Sequence, residues 1–214
     1  MIRIAPEGRL FIGLAWGIAL ALAGLFAAYG WWVPLVLWLP VAIWTIVFFR
    51  DPVRDGPRGD RLIISPADGV VVSVIPVDEP VFLHGPSIRI SIFMNVVNVH
   101  VNRYPASGRV AYRKYSKGRF GHAMAEKASS DNEQSSVGLA LARGKILIRQ
   151  IAGSIARTIV TDHAEGTEVR QGERMGMIRF GSRVDLFVPP DADVRAKEGD
   201  KTKAGLTVVA EWTR

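Results

Sequence analysis
Between Arg9 and Arg50 no residue of this chain carries a charge. Few constraints on a fold are stronger, because such a stretch must leave water. It divides into two apolar runs, Phe11 to Tyr29 and Trp31 to Phe49. Each approaches the roughly 20 residues that cross a hydrocarbon core as a helix. A secretory signal would show one short apolar region with a cleavage site, whereas here a second run follows directly. Tyr29, Trp31 and Trp32 at the junction suit a membrane–water interface, and Pro34 and Pro40 weaken the second helix. Arg3 and Arg9 precede the runs and Arg50, Arg54, Arg58 and Arg61 follow them. That basic bias predicts both ends on the cytoplasmic side of the cell membrane, with residues 1–49 as a helical hairpin anchor. Two interfacial helices that never cross remain the alternative.

The 214 residues carry a formal net charge of +7 and no cysteine. Disulfides, thiolate catalysis and cysteine metal sites are therefore excluded. A basic chain suits nucleic acid or an anionic membrane. The apolar start, with no zinc-finger spacing and no long Lys/Arg run, favours the membrane and argues against nucleic acid. Residues 50–61, rich in Pro, Gly and charge, read as a linker.

Residues 62–214 read as mainly β. Short β-branched runs at 69–75, 88–93, 145–150, 176–180 and 206–210 alternate with Gly/Pro turns, which predicts a compact β sandwich or barrel. A helix is expected near 151–159 and an irregular loop over 121–134. In Asn95–Asn102 the alternation predicts a strand with Asn98, His100 and Asn102 on one face. That polar row suits either solvent or the wall of a site, with His100 able to move protons near neutral pH. Asp68, in Ser65-Pro66-Ala67-Asp68-Gly69, fits a β-turn. His84, His122 and His163 read as surface residues, and no histidine pair has metal-ligand spacing, so no metal is expected. Arg113, Lys114, Lys117 and Arg119 form a basic cluster, suited to water or to an anionic bilayer. Gly181-Ser182, between two apolar half-strands, could be a plain turn.

Four segments in order change that reading: SPADGVV, FMNVVNVHVNRYPASG, RQIAGSIARTIV and EGTEVRQGERMGMIRFGSRVDLFVP. From about Arg50 onward they resemble the short type of phosphatidylserine decarboxylase, in which one precursor yields two subunits. The resemblance implies self-cleavage between Gly181 and Ser182, giving a large chain (1–181) and a small chain (182–214) that stay associated. It implies that Ser182 becomes a covalent pyruvoyl cofactor, which forms a Schiff base with phosphatidylserine and releases phosphatidylethanolamine. It implies that Asp68 promotes the cleavage by pairing with a histidine, and that His100 serves cleavage, decarboxylation or both. His122, Asn98 and Asn102 would face the substrate. Longer members carry two histidines in the His100 motif; this chain keeps one, with Arg103 near the second position. A competing reading is a membrane-tethered barrel-sandwich carrier, phosphorylated at His84 or His100, in which Ser182 is only a turn residue.

Overall fold
The computed structural model describes residues 2–118, 132–153, 158–179 and 182–213. The chain forms two compact units, Met1–Val53 and Arg54–Arg214. In the first, a short strand β1 (Ile2–Ile4) leads through one 3-10 turn into helix α1 (Arg9–Tyr29). Helix α2 (Val33–Phe48) follows, and then strand β2 (Arg50–Pro52). Gly30 ends α1 in the left-handed region at φ 72°, a conformation glycine adopts without a Cβ penalty, and its N–H closes on Phe26 O. The two helices are joined by the Trp38 indole N–H, which donates to Ala15 O at 2.8 Å.

β1 and β2 pair antiparallel, Ile2 opposite Pro52 and Ile4 opposite Arg50. Both ends of the helical pair therefore meet at one place. Ala5 N–H bonds Phe49 O there, and a Cβ on Gly8 would collide with the Phe49 ring at 2.3 Å. Leu10, Leu14, Leu20, Phe26, Trp31 and Leu37 are exposed, a surface unsuited to water. α1 with its leading turn (Pro6–Tyr29) is long and apolar enough to cross a membrane. The 16 residues of α2 reach only about 24 Å, short of a hydrocarbon core of roughly 30 Å.

The second unit is built of strands, as expected. Strands β3 (Leu62–Ile64), β4 (Gly69–Glu79), β5 (Gly85–Met94), β6 (Val101–Arg103), β7 (Gly108–Ser116) and β8 (Gln134–Leu141) come first. β9 (Gly144–Ala152), β10 (Thr158–Thr161), β11 (Glu168–Val169), β12 (Arg174–Arg179) and β13 (Ser182–Val188) follow. The short strands β14 (Asp193–Val194), β15 (Lys201–Thr202) and β16 (Val208–Glu211) complete the set. Eight of them form one sheet in the order β11-β7-β8-β9-β13-β5-β4-β15, and two three-stranded sheets, β10-β12-β6 and β14-β16-β3, accompany it. One core joins all three: Ile90, Ile92, Ile148, Val184 and Leu186 from the large sheet, Ile178 from the second, Val209 from the third.

β13 lies inside the large sheet, antiparallel to β5 on one side and β9 on the other, and all seven of its residues are buried. Its alternation puts Ser182, Val184, Leu186 and Val188 on one face and Arg183, Asp185 and Phe187 on the other. Arg183 Nε and Nη2 donate to the two Asp185 oxygens at 2.6 and 3.1 Å, with Arg89 Nε 4.0 Å from the same carboxylate. Phe187 packs with Phe82 and Leu147, and Arg149 lies over its ring at 4.9 Å. Burial pushes the Arg149 guanidinium below its ordinary range, against the pull of Asp185 and Glu79.

Three local expectations need correction. The Asn95–Asn102 segment is not one strand: β5 ends at Met94, and a turn fills the space to β6. Asn95 and Asn98 make that turn with side-chain-to-backbone bonds, Asn98 Oδ1 accepting from Asn95 N–H and Asn95 Oδ1 from Val97 N–H. The helix expected near 151–159 is absent from its described ends, since Ile151 and Ala152 finish β9 and Thr158 begins β10; residues 154–157 lie outside the described residues. Residues 50–61 are not a free connector either. Residues 50–52 form β2 in the first unit, while Arg58 donates to Gly205 O and Gly59 N–H to Gln171 within the second.

Removing one member of a buried ion pair strands the other. Arg183→Ala is expected to lower stability by about 3 kcal/mol. The double change Arg183→Met/Asp185→Leu is expected to cost far less. Urea midpoints of the detergent-solubilised protein measure both, and equal losses would contradict the assignment.

Candidate active site
Ser182 opens β13, fully buried, with Met94 of β5 opposite it on one side and Ala152 of β9 on the other. β12 and β13 belong to different sheets and are joined only through residues 180 and 181, so Ser182 stands where the chain passes between sheets. Gly181 itself lies outside the described residues. The Ser182 hydroxyl faces the Met94 sulfur at 3.6 Å. The Asn102 amide nitrogen reaches the same sulfur at 3.6 Å and Pro66 O at 3.5 Å. Met94 is thus the shared neighbour of the serine and the asparagine.

A buried polar chain fixes that asparagine. Gln150 Nε2 donates to Asn102 Oδ1 at 2.9 Å, and Gln150 Oε1 accepts from the Thr161 hydroxyl at 3.0 Å. Thr161 in turn meets the Ser135 hydroxyl at 2.8 Å. With its oxygen held by Gln150, Asn102 must turn its NH2 toward Met94 and Pro66. Asn102 and His100 are both fully buried, which removes the solvent-facing reading of that row.

His100 precedes β6, and its Nδ1 lies 3.0 Å from Asn98 O. A carbonyl can only accept, so Nδ1 carries the hydrogen and Nε2 is the basic nitrogen of the neutral ring. Asn98 therefore contributes its carbonyl to the histidine and its side chain to the turn, not an amide aimed at a ligand.

The SPADG turn comes to the same end of the sheet. Pro66 O accepts the Arg103 N–H at 3.0 Å, which ties the turn to β6. A Cβ on Gly69 would lie 2.1 Å from Phe93 O, so only glycine allows β4 to approach β5 this closely. The starts of β4 and β13 thereby flank the end of β5, with Asp68 beside one and Ser182 at the other. Among the described residues the partners of Asp68 are not histidines. Its Oδ1 accepts from Ala204 N–H and its Oδ2 from Arg54, each at 2.7 Å. An arginine stands where the expected His–Asp pair needed an imidazole.

Of the other sequence candidates, His122 lies outside the described residues. His84 is exposed and bonded to Pro80 O, and His163 sits between Tyr104 and Glu173. Sequence reasoning passed over Met94, Gln150 and Thr161. Only the polar interruption of the apolar run in KILIRQIA marked Gln150. It also passed over Asn132 and Glu133, which hold Ala152, the strand neighbour of Ser182: Asn132 Nδ2 donates to Ala152 O at 2.7 Å and Ala152 N–H to Glu133 O at 2.9 Å. The Glu133 carboxylate accepts the Tyr115 hydroxyl, and that bond, with burial and the charge itself, pushes the phenol up to about 12. The arrangement places a buried hydroxyl and an oriented amide at the head of one central strand, and a histidine of fixed tautomer in the segment that links the neighbouring β5 to β6.

The family model described as phosphatidylserine decarboxylase matches residues 41–210. Proteins named phosphatidylserine decarboxylase proenzyme align over nearly the whole chain. One from Aromatoleum aromaticum is 43% identical, covering 97% of this chain and 95% of its own. One from Syntrophus aciditrophicus is 45% identical, covering 94% of each. One from Geotalea daltonii is 41% identical, covering 99% and 98%.

The histidine geometry has a direct readout. Long-range 1H–15N correlation spectra of histidine-labelled protein should show the hydrogen of the neutral His100 ring on Nδ1. The opposite pattern would contradict the bond to Asn98. Gln150→Leu leaves Asn102 and Thr161 without that partner and is expected to destabilise the protein by about 2 kcal/mol, read from the urea midpoint.

Proposed function
The chain belongs to the phosphatidylserine decarboxylase family, and on that premise we propose that it is a membrane-attached proenzyme. It cuts itself between Gly181 and Ser182 and then converts phosphatidylserine to phosphatidylethanolamine on the cytoplasmic face of the cell membrane. The observation that carries the reading is the position of Ser182. It is not a turn residue, as a carrier domain would have it, but the buried first residue of a central strand.

In the cutting step the Ser182 hydroxyl attacks the Gly181 carbonyl, the acyl group moves from nitrogen to oxygen, and the hydroxyl proton ends on the freed nitrogen. Elimination frees residues 1–181 as an ordinary carboxylate terminus, and hydrolysis of the new N-terminus releases ammonia. The step needs a dry setting, a proton acceptor and donors toward the developing oxyanion. Ser182 has the first, packed against Met94, and the Gln150-held Asn102 presents its NH2 toward the same sulfur. Asp68 supports the step by holding the SPADG turn through Arg54 and Ala204.

The residues around Ser182 suit a pyruvoyl group, which is no larger than the serine it replaces and gains no charge in this buried place. Once formed from Ser182, that group supplies a carbonyl that engages the substrate amine and an electron sink as carbon dioxide leaves. His100, basic at Nε2, is the group assigned to take up a solvent proton there and pass it to the substrate carbon after carbon dioxide leaves. The residues that follow Ser182 keep the new small chain in place, since β13 is paired on both edges.

Intact mass tests the cut. The wild type should yield a fragment beginning at residue 182 with a blocked terminus, and Ser182→Ala a single inactive chain. A folded wild-type chain that stays whole would sink the proposal. Asp68→Asn should slow cutting, and normal maturation would remove Asp68 from it. His100→Ala should still show the cut fragment while turnover falls about 100-fold or more. Unchanged turnover would remove His100 from the decarboxylation.

A further inference from the structure
The eight-stranded sheet has two unlike ends. At the Ser182 end lie the last residues of β7, β5 and β9 and the first of β8, β13 and β4. There the turn after β5 exposes Val96 (40%) and Val97 (56%), and the end of β7 exposes Tyr115 (52%). Lys114 and Lys117 are exposed beside Tyr115, while Arg113 is tied to Thr161 O and His163 O. Of the described carboxylates near the β7 end, Glu133 is buried and bonded to the Tyr115 hydroxyl, and the exposed Glu165 accepts the Arg113 N–H at 2.7 Å. The opposite end carries an exposed Val81 in the turn after β4, where Lys145 lies over the Phe82 ring.

We infer that the Ser182 end of the second unit is itself a membrane-docking surface, in which Val96 and Val97 enter the headgroup boundary of an anionic bilayer. Tyr115 lies at the same level, and Lys114 and Lys117 meet the lipid phosphates. Three features support this partner. Two adjacent exposed valines on a turn stiffened by Asn95 and Asn98 are a poor choice for water but a good one for an interface. An aromatic with a polar tip suits the boundary. Among the described residues the exposed Lys114 and Lys117 are cations that an anionic leaflet attracts, and Glu165 beside them is engaged by the Arg113 N–H. The surface adjoins Ser182 and His100, so docking would bring lipid headgroups to the site without lifting a lipid through water. The inference rests on the proposed function for its meaning, but its geometry stands independently of it.

The absence of native cysteines makes a clean test possible. Val97→Cys and Val81→Cys, in the full-length protein, each carry one environment-sensitive fluorophore. The protein is reconstituted in phosphatidylcholine–phosphatidylglycerol vesicles with a shallow spin-labelled lipid. The probe at 97 is expected to shift to the blue and lose emission to the quencher, while the probe at 81 keeps its aqueous spectrum. Lys114→Glu/Lys117→Glu should weaken the quenching at 97. Water-like emission at 97, equal quenching at both positions, or quenching indifferent to the two lysines would each overturn the proposal. Probe spectra and intact mass, read together on the wild type, separate the two readings. Quenching at 97 in a wild type that never cuts would leave docking intact and remove the enzyme reading. An aqueous probe at 97 in a protein that cuts and turns over would do the reverse.

Discussion
The structure depends most on the double pairing of β13. A strand inside a sheet has its backbone groups satisfied on both edges and its side chains covered on both faces, so its position is the least adjustable in the fold. Here that strand begins at Ser182. The seven register pairs to β5 and six to β9 fix where Ser182 stands relative to Met94 and Ala152. Much of the site is positioned from these two neighbours. Met94 brings in Asn102, Ala152 brings in Asn132 and Glu133, and the close approach of Gly69 to Phe93 carries the SPADG turn to the same end.

Burial then decides the chemistry. In the interior an unmatched polar group is costly, so each polar side chain near Ser182 is directed by another. Thr161 directs Gln150, Gln150 directs Asn102, and the carbonyl of Asn98 settles which nitrogen of His100 is basic. A serine hydroxyl facing a thioether competes with little water for its proton. The opposite face of β13 is handled differently, by charge matched to charge. Arg183 and Asp185 close on each other one residue beyond the serine, and this anchors the strand's head without adding a titrating group to the site's own face.

Much of this was legible in the sequence. The charge-free stretch marked the helical pair, and β-branched alternation marked β4, β5, β9 and β12 closely. Local pattern failed where two explanations share one pattern. NVVNVHVN alternates like a strand, yet two asparagines with free side chains can satisfy a turn's backbone, and they do. RQIAGSIARTIV has the spacing of a helix, yet Ile151 and Thr158 serve two different sheets, a choice made by long-range pairing. Gly181-Ser182 resembled a turn in isolation, and only the resemblance to a family singled it out. Gln150 and Met94 were invisible because their roles exist only once β5, β6 and β9 are side by side. The departure at His100 was visible, but its counterpart was not: that Asp68 would take Arg54 as its partner depends on a contact across the start of the second unit.

The sheet order also constrains how the chain can be made. β5 and β9 leave the ribosome well before β13, yet they are never neighbours in the finished sheet, because β13 stands between them. Until residue 188 has emerged, each presents an open edge, and two open edges from one chain can zip together wrongly. The nascent protein must hold a strand-wide gap from the end of β9 at Ala152 until β13 is complete at Val188. Apart from the short edge strand β15, the sheet is completed by its late-arriving middle, so the serine at the head of that strand enters its site only after the strands on both sides of it exist.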